Sequence, residues 1–277
     1  MNILITGANG FIGKHLINKY KPKHKIFELV NGNEYSFDNN IFTVNLLEKK
    51  HISLVLKEKI EINIVIHLAT VMCSNENQKD FSLLSDNIKI YENSVLIINS
   101  FTPAKVINFS STAVYPNQDG EYLEVSEIKP SINNDSLYGL AKFCGENILD
   151  TLCKDIDIVH LRVAQVIEND RGDRIFEVMK KELTKTNNIT VYGNGERISS
   201  FISVQNLIQK VDLFIMNEES GIYNTSEYNL SYKDIALSLI SQYGNKSSSM
   251  SFKDIGLSSK TLVNTDKLKK IELKYGM

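Results

Sequence analysis

Tyr138 and Lys142 stand four residues apart in Tyr138-Gly139-Leu140-Ala141-Lys142. On a helix this spacing puts a phenol and an ammonium on one face. A nearby cation favours the phenolate and lowers the tyrosine pKa toward working pH. Such a tyrosine can pass a proton to or from a substrate oxygen. A Tyr-x-x-x-Lys match alone is common, and a surface pair is its bland explanation. His67, at the end of an apolar run, has the near-neutral pKa that acid–base work needs. A packed strand-end residue is the simpler reading of it.

A second group is glycine-rich. Thr6-Gly7-Ala8-Asn9-Gly10-Phe11-Ile12-Gly13 follows a short β-branched run. The spacing is GxxGxxG, where the usual dinucleotide fingerprint is GxGxxG. The physics is shared. Glycine permits positive φ and lets the backbone approach a pyrophosphate. A helix N-terminus behind the turn offers free N–H groups and a positive dipole end. An acidic ribose partner is expected about 20 residues on. The chain has Val30-Asn31-Gly32-Asn33 there, with Glu28 before it and Glu34 beyond it. No arginine cluster replaces the acid, and Lys14 is the nearest basic candidate for a 2′-phosphate. The cofactor reading is therefore NAD or NADP.

These residues need elements to hold them. Asn2–Thr6, Lys25–Val30, Ile41–Val44, Asn63–Leu68, Lys105–Ser110 and Ile156–Val163 read as strands. Nearly continuous apolar runs suit strands buried on both faces of a parallel sheet. Ile12–Lys19, Ile52–Lys59, Asp86–Ile98 and Tyr138–Leu152 read as the intervening helices. The alternation predicts an α/β fold: a Rossmann-type doubly wound parallel sheet with a smaller C-terminal α/β substrate-binding region. Residues 1–163 form the nucleotide-binding domain. Residues 164–277 mainly shape the substrate region, with some segments returning to the core. In that part Arg174–Thr184, Val204–Met216, Tyr232–Ser241 and Asp266–Ile271 read as helices. Ile189–Tyr192 and Phe201–Val204 read as strands. Pro116–Asp135 reads as a long loop, which in compact domains is usually functional or disordered.

Composition bounds the rest. The 277 residues carry 31 Lys+Arg against 33 Asp+Glu, so no charge excess points to nucleic acid or an acidic membrane. The hydrophobic fraction of 42% supports a sizeable core and argues against disorder. No apolar run approaches a membrane span, and the N-terminus lacks the pattern of a signal peptide. Cys73, Cys144 and Cys153 form no CxxC pair, so neither zinc nor a disulfide framework is expected. No metal site is assigned, and a cytoplasmic location is expected.

Taken together the motifs resemble the extended short-chain dehydrogenase/reductases, in the NAD-dependent epimerase/dehydratase branch that acts on nucleotide sugars. The carrying segments are Thr6–Gly13, Val65–Ala69, Asn87, Asn108–Tyr115, Tyr138–Lys142 and Leu161-Arg162. The resemblance implies roles. Ser111 matches the serine or threonine that holds the reacting hydroxyl, and Tyr138 matches the general acid/base. Lys142 matches the residue that binds the nicotinamide ribose and tunes the tyrosine. Gly7, Gly10, Phe11 and Ile12 match the pyrophosphate turn. Asn31, Asn45 and Leu46 fall toward the adenosine, and Leu68 and Ala69 line the cofactor cleft. Asn87 is similar to a structural asparagine behind the site. Ser111, Thr112, Tyr138 and Arg197 are the substrate candidates, with Tyr192, Arg171 and Arg174 as further loop candidates.

Departures from the pattern bear on the reaction. Family 4,6-dehydratases usually carry Asp-Glu after the catalytic serine or threonine; Thr112-Ala113 follow Ser111 here, which disfavours elimination of water. Ser199-Ser200 stand where Arg-Asp is usual, and Arg197 lies two residues earlier. The region after Leu161-Arg162 also differs from its relatives, and the C-terminal part is shorter than in many of them. The resemblance implies an epimerase or 4-keto reductase acting on a nucleotide-linked sugar, in surface-polysaccharide or deoxysugar synthesis. The alternatives are a reductase of a small non-nucleotide carbonyl compound and a non-catalytic NAD(P)-binding regulator. Relatives commonly pair helices into a homodimer, though no apolar patch in this sequence marks the face.

Overall fold

A computed structural model describes residues 1–168, 175–256 and 258–276. The first half alternates strand and helix: β1 (Asn2–Thr6), α1 (Phe11–Tyr20), β2 (Lys25–Val30), β3 (Ser36–Asp38), β4 (Ile41–Thr43), α2 (Lys49–Val55), β5 (Ile64–His67) and α3 (Ser82–Phe101). It continues with β6 (Lys105–Ser111), β7 (Gly120–Tyr122), α4 (Ser136–Leu152) and β8 (Asp157–Val163). The remainder comprises β9 (Gln165–Ile167), α5 (Ile175–Thr186), β10 (Asn188–Tyr192), β11 (Ile198–Ser203), α6 (Val204–Ile215), β12 (Gly221–Thr225), β13 (Tyr228–Ser231), α7 (Tyr232–Tyr243), β14 (Ser249–Lys253), β15 (Thr261–Val263) and α8 (Asp266–Tyr275).

The main sheet has eight strands in the order β12-β8-β6-β5-β1-β2-β4-β3. All pairings are parallel except β3 with β4. Its side chains alternate between two cores, as the period of two in a strand requires. Ile3 and Ile5 pack with Leu16 of α1, Leu207 of α6 and Leu268 of α8. Leu4 points the other way, to Ile52 of α2, Tyr91 of α3 and Leu149 of α4. The continuous apolar strands of the sequence are thus explained by helices on both faces.

The C-terminal residues do two jobs. β12, α6 and α8 join the main sheet and its core. A smaller unit is built on α5, α7, β10 and β11 around Met179, Val191, Phe201 and Ile235. Here β11 pairs with β9 and β13, and β10 with β14. β15 pairs in parallel with β7, which ties the segment after Tyr115 to the C-terminal part. Strands β3, β7, β9 and β12 to β15 were not expected from the sequence. They are three to five residues long, and β12 buries the polar Asn224 where an apolar run would have signalled a strand. Among the described residues no helix is long and apolar enough to cross a membrane.

One buried polar network ties these elements together. Arg162 on β8 grips Glu146 on α4 through two bonds, Nε to Oε1 at 3.0 Å and an Nη2 contact to Oε2 at 2.8 Å. Both side chains are about 2% exposed. Ser110 on β6 donates to the same carboxylate. Arg162 also donates to the Tyr115 hydroxyl at 2.9 Å, and that hydroxyl reaches Asn224 on β12 at 2.8 Å. Removing one partner of such a pair strands the other charge in the core. Glu146→Ala is therefore expected to lose about 3–5 kcal/mol, read by urea unfolding. The pair of changes Glu146→Leu with Arg162→Met should recover most of that loss.

Candidate active site

The site opens at the C-terminal ends of the central strands. β1 ends at Thr6, and Gly7 turns the chain with φ +64°. A side chain at Gly7 would also crowd the backbone of Leu68 and Ala69 at 3.1–3.2 Å. α1 then starts at Phe11 with no side-chain cap and no acidic residue in its first turn. A helix end without a capping side chain or a carboxylate in its first turn suits an anion. A Cβ on Gly13 would sit 2.6 Å from the carbonyl oxygens of Gly7 and Ala8, so glycine holds the helix against the turn.

Thr6 fixes the opposite wall. Its Oγ1 accepts from the amides of Leu68 and Ala69 at 3.1 and 3.0 Å, and lies 2.9 Å from His67 Nδ1. With two amides donating to that oxygen, the hydroxyl proton goes to Nδ1 and the ring proton to Nε2. Nε2 has no hydrogen-bond partner, and the ring meets Tyr91 edge-on at 5.0 Å. Burial, with Lys142 adding to it, pushes His67 down to about 3. It is a neutral packing residue. Asn87 holds the next stretch: its Oδ1 accepts from Thr70 and Val71, and its Nδ2 donates to Val71 and Leu83.

The candidate reactive side chains come from β6 and α4. Ser111 ends β6, and its Oγ accepts from the Ala113 amide at 3.1 Å to cap a single 3₁₀ turn. α4 packs directly on that turn. A Cβ on Gly139 would fall 2.1 Å from the Ala113 carbonyl oxygen, so only glycine beside Tyr138 allows the approach. Lys142 is buried, its Nζ 5.5 Å from the Tyr138 ring centre and donating to the Phe109 carbonyl at 2.9 Å. Burial lowers the Lys142 ammonium to about 7, opposed by the Glu146 charge one turn on. Tyr138 is nearly buried, with its hydroxyl 3.7 Å from Met72 Sδ.

One cleft of about 680 Å³ collects these groups. That is within the range of about 300–1,000 Å³ for small-molecule and cofactor sites. Gly7, Gly10, Phe11, Ile12, Asn31, Asn45, Leu46, Leu68 and Ala69 line one part of it. Ser111, Thr112, Tyr138, Lys142 and Arg197 line the other. Lys14 and Tyr192 are not among its walls; Tyr192 is exposed, with Lys253 over its ring. Arg171 and Arg174 lie outside the described residues. Ser199 and Ser200 line the cleft, and Ser200 donates to Asn229 at 2.6 Å. Arg197 stacks over Tyr232 at 4.9 Å.

Several wall residues were not legible in the sequence. Asn117, Asn133 and Asn134 come from the long loop, which hydrogen bonds order: Asn133 donates to the Tyr115 carbonyl, and the Asn134 amide to Asn117 Oδ1, both at 2.8 Å. The loop's length was the only signal. Thr261 and Val263 arrive through β15, with no local mark at all. Among the described residues no three metal-ligating side chains cluster.

Residues 3–230 match the NAD dependent epimerase/dehydratase family, and the chain belongs to that family of enzymes. It is 24% identical over 238 residues to the dTDP-6-deoxy-L-talose 4-dehydrogenase (NAD(+)) of Aggregatibacter actinomycetemcomitans, covering 81% of this chain and 83% of that one. It is 29% identical to the dTDP-4-dehydro-6-deoxyglucose reductase of Escherichia coli, over 75% of this chain and 70% of the other. The fold is similar to the UDP-glucuronic acid 4-epimerase of Bacillus cereus in complex with NAD, with TM-score 0.78 and 22% identity over 98% and 92% of the two chains. The uncapped helix end, the glycine turn and the cleft all fit a dinucleotide.

The buried lysine carries a pH signature. An unfolded lysine keeps its proton to about 10.5, whereas Lys142 in the fold loses it near 7. Between those values the unfolded chain holds more protons, so the folded state gains stability as pH rises. Below about 7 the whole burden of a buried ammonium remains. The protein should therefore gain stability relative to Lys142→Met between about pH 7 and about pH 9, measured by chemical denaturation. A constant difference would contradict the assignment.

Proposed function

We propose that this protein is an NAD(P)-dependent enzyme that oxidises, reduces or epimerises a nucleotide-linked hexose at a ring carbon. The carrying observation is that Ser111, Tyr138 and Lys142 meet in the cleft that also holds the glycine turn. The relatives named above, a 4-dehydrogenase and a 4-dehydro-sugar reductase, support C4 as the carbon. A dinucleotide, when bound, supplies or accepts the hydride. The chain's own residues handle the proton. Tyr138 gives it to, or takes it from, the sugar oxygen. Lys142 favours the phenolate while it is charged. Ser111 donates to the same oxygen and fixes its position.

Dehydration is not part of this reading. Thr112 and Ala113 follow Ser111, and the only carboxylate among the described cleft residues is Asp135, at the N-terminus of α4. Arg197 is the group suited to a diphosphate, through its forked donors. Thr112 and the loop asparagines offer hydrogen bonds to the sugar hydroxyls. Work in the cytoplasm agrees with the unpaired Cys73, Cys144 and Cys153.

Ser199 and Ser200 motivate a second reading, a small carbonyl substrate without a nucleotide. Titration calorimetry with UDP, dTDP and GDP separates the two. Binding of any one supports the nucleotide sugar, and binding of none supports the small carbonyl. For the relay, Tyr138→Phe should lower kcat by at least about a hundredfold while nucleotide affinity stays near normal. Near-normal turnover would remove Tyr138 from the chemistry.

A further inference from the structure

The cleft carries very little charge, and what it carries is unevenly placed. Among the described residues lining it, Lys142 and Arg197 are the only cations and Asp135 the only carboxylate. Lys142 and Asp135 belong to α4 or its start, and Arg197 to the turn before β11. The part built by the glycine turn and the ends of β2 and β4 has neither sign.

Asn31 is the first residue past β2, next to that turn. The Ala8 amide donates to the Leu29 carbonyl at 3.2 Å, which sets the glycine turn against the end of β2. The Val44 amide donates to the Val30 carbonyl at 2.8 Å, so Asn31 and Asn45 leave neighbouring strands side by side. Asn45 is committed locally, its Oδ1 accepting from the Leu47 amide at 3.0 Å. Asn31 is exposed on the cleft wall, and its side chain has no hydrogen-bond partner among the described residues.

A carboxylate at this strand end accepts from the 2′-hydroxyl of an adenosine ribose, and an arginine nearby accommodates a 2′-phosphate. A carboxylate would also repel that phosphate by its charge. An amide is neutral. It can accept from a hydroxyl through its oxygen or donate to a phosphate through its nitrogen. Gly32 adds no substitute group, because a Cβ there would collide with the Thr43 methyl at 2.2 Å.

We propose that Asn31 leaves the 2′-position of the cofactor unselected, so that this protein binds both NAD and NADP forms with comparable affinity. The proposal rests on the dinucleotide reading of the cleft. Its test is direct binding to the full chain, cleared of nucleotide, by titration with NADH and NADPH under nicotinamide fluorescence. The chain has no tryptophan, so indole emission does not interfere. The two Kd values should agree within about tenfold. NADPH binding more than about a hundredfold weaker than intact NADH binding, or the reverse, overturns the proposal and leaves the dinucleotide reading standing. Binding of neither overturns both. Asn31→Asp should weaken NADPH by about 30-fold or more through like-charge repulsion, with NADH unchanged or tighter. Because Asn31 is exposed, that variant should fold normally, and an unchanged ratio would show that residue 31 does not set the choice.

Discussion

The ion pair between Arg162 and Glu146 is the constraint on which the site geometry rests. Glu146 stands one turn beyond Lys142 and two beyond Tyr138 on α4, while its carboxylate takes bonds from Arg162 on β8 and Ser110 on β6. Ser110 immediately precedes Ser111. One carboxylate thus fixes the spacing between the strand that ends in the serine and the helix that carries the tyrosine and lysine. Arg162 extends the control through Tyr115 to Asn224, and so to the loop that forms the outer wall. A buried pair of this kind gives little net stability compared with an apolar substitute. Its value here is positional, because few other arrangements satisfy both charges.

Close backbone approach completes what the ion pair begins. Gly139 brings α4 onto the turn after Ser111, and Gly7 and Gly13 bring α1 onto the end of β1. Both contacts sit at the C-terminal edge of the sheet, where strands feed into helices and a crevice must form. Ser111, Tyr138, Lys142 and the N-terminal end of α1 therefore open on the same space. The buried lysine held there is a poor choice for stability, and the tuning of Tyr138 proposed for it would be the usual trade at a functional site.

Much of the first 163 residues was legible. β1, β2, β6 and β8 are apolar runs long enough to read alone, and the helices between them carry 3.6-residue periodicity. The motifs Gly7–Gly13, Ser111 and Tyr138–Lys142 are local in sequence because each lies on one strand end, turn or helix. The later part was harder. β12 to β15 are short and partly polar, and each forms only because a neighbouring strand offers free N–H and C=O groups. Asn117, Asn133 and Asn134 were concealed in a loop whose order comes from bonds between its two ends. Arg197 was visible as a residue, yet its place over Tyr232 depends on how β13 leads into α7.

The sequence alone determined the class of fold and the glycine turn, and it marked Ser111, Tyr138 and Lys142 as candidates for proton transfer. The fold class, the turn and the Tyr138–Lys142 pair follow from local rules of periodicity, turn chemistry and helix spacing, whereas Ser111 was marked by the family resemblance. Only the tertiary structure decided that His67 is a neutral wedge, that Lys142 is buried enough to titrate near 7, and that Thr261 and Val263 reach the same cleft from the far end of the chain. Burial and long-range pairing set those outcomes, and neither is a property of any short stretch of sequence.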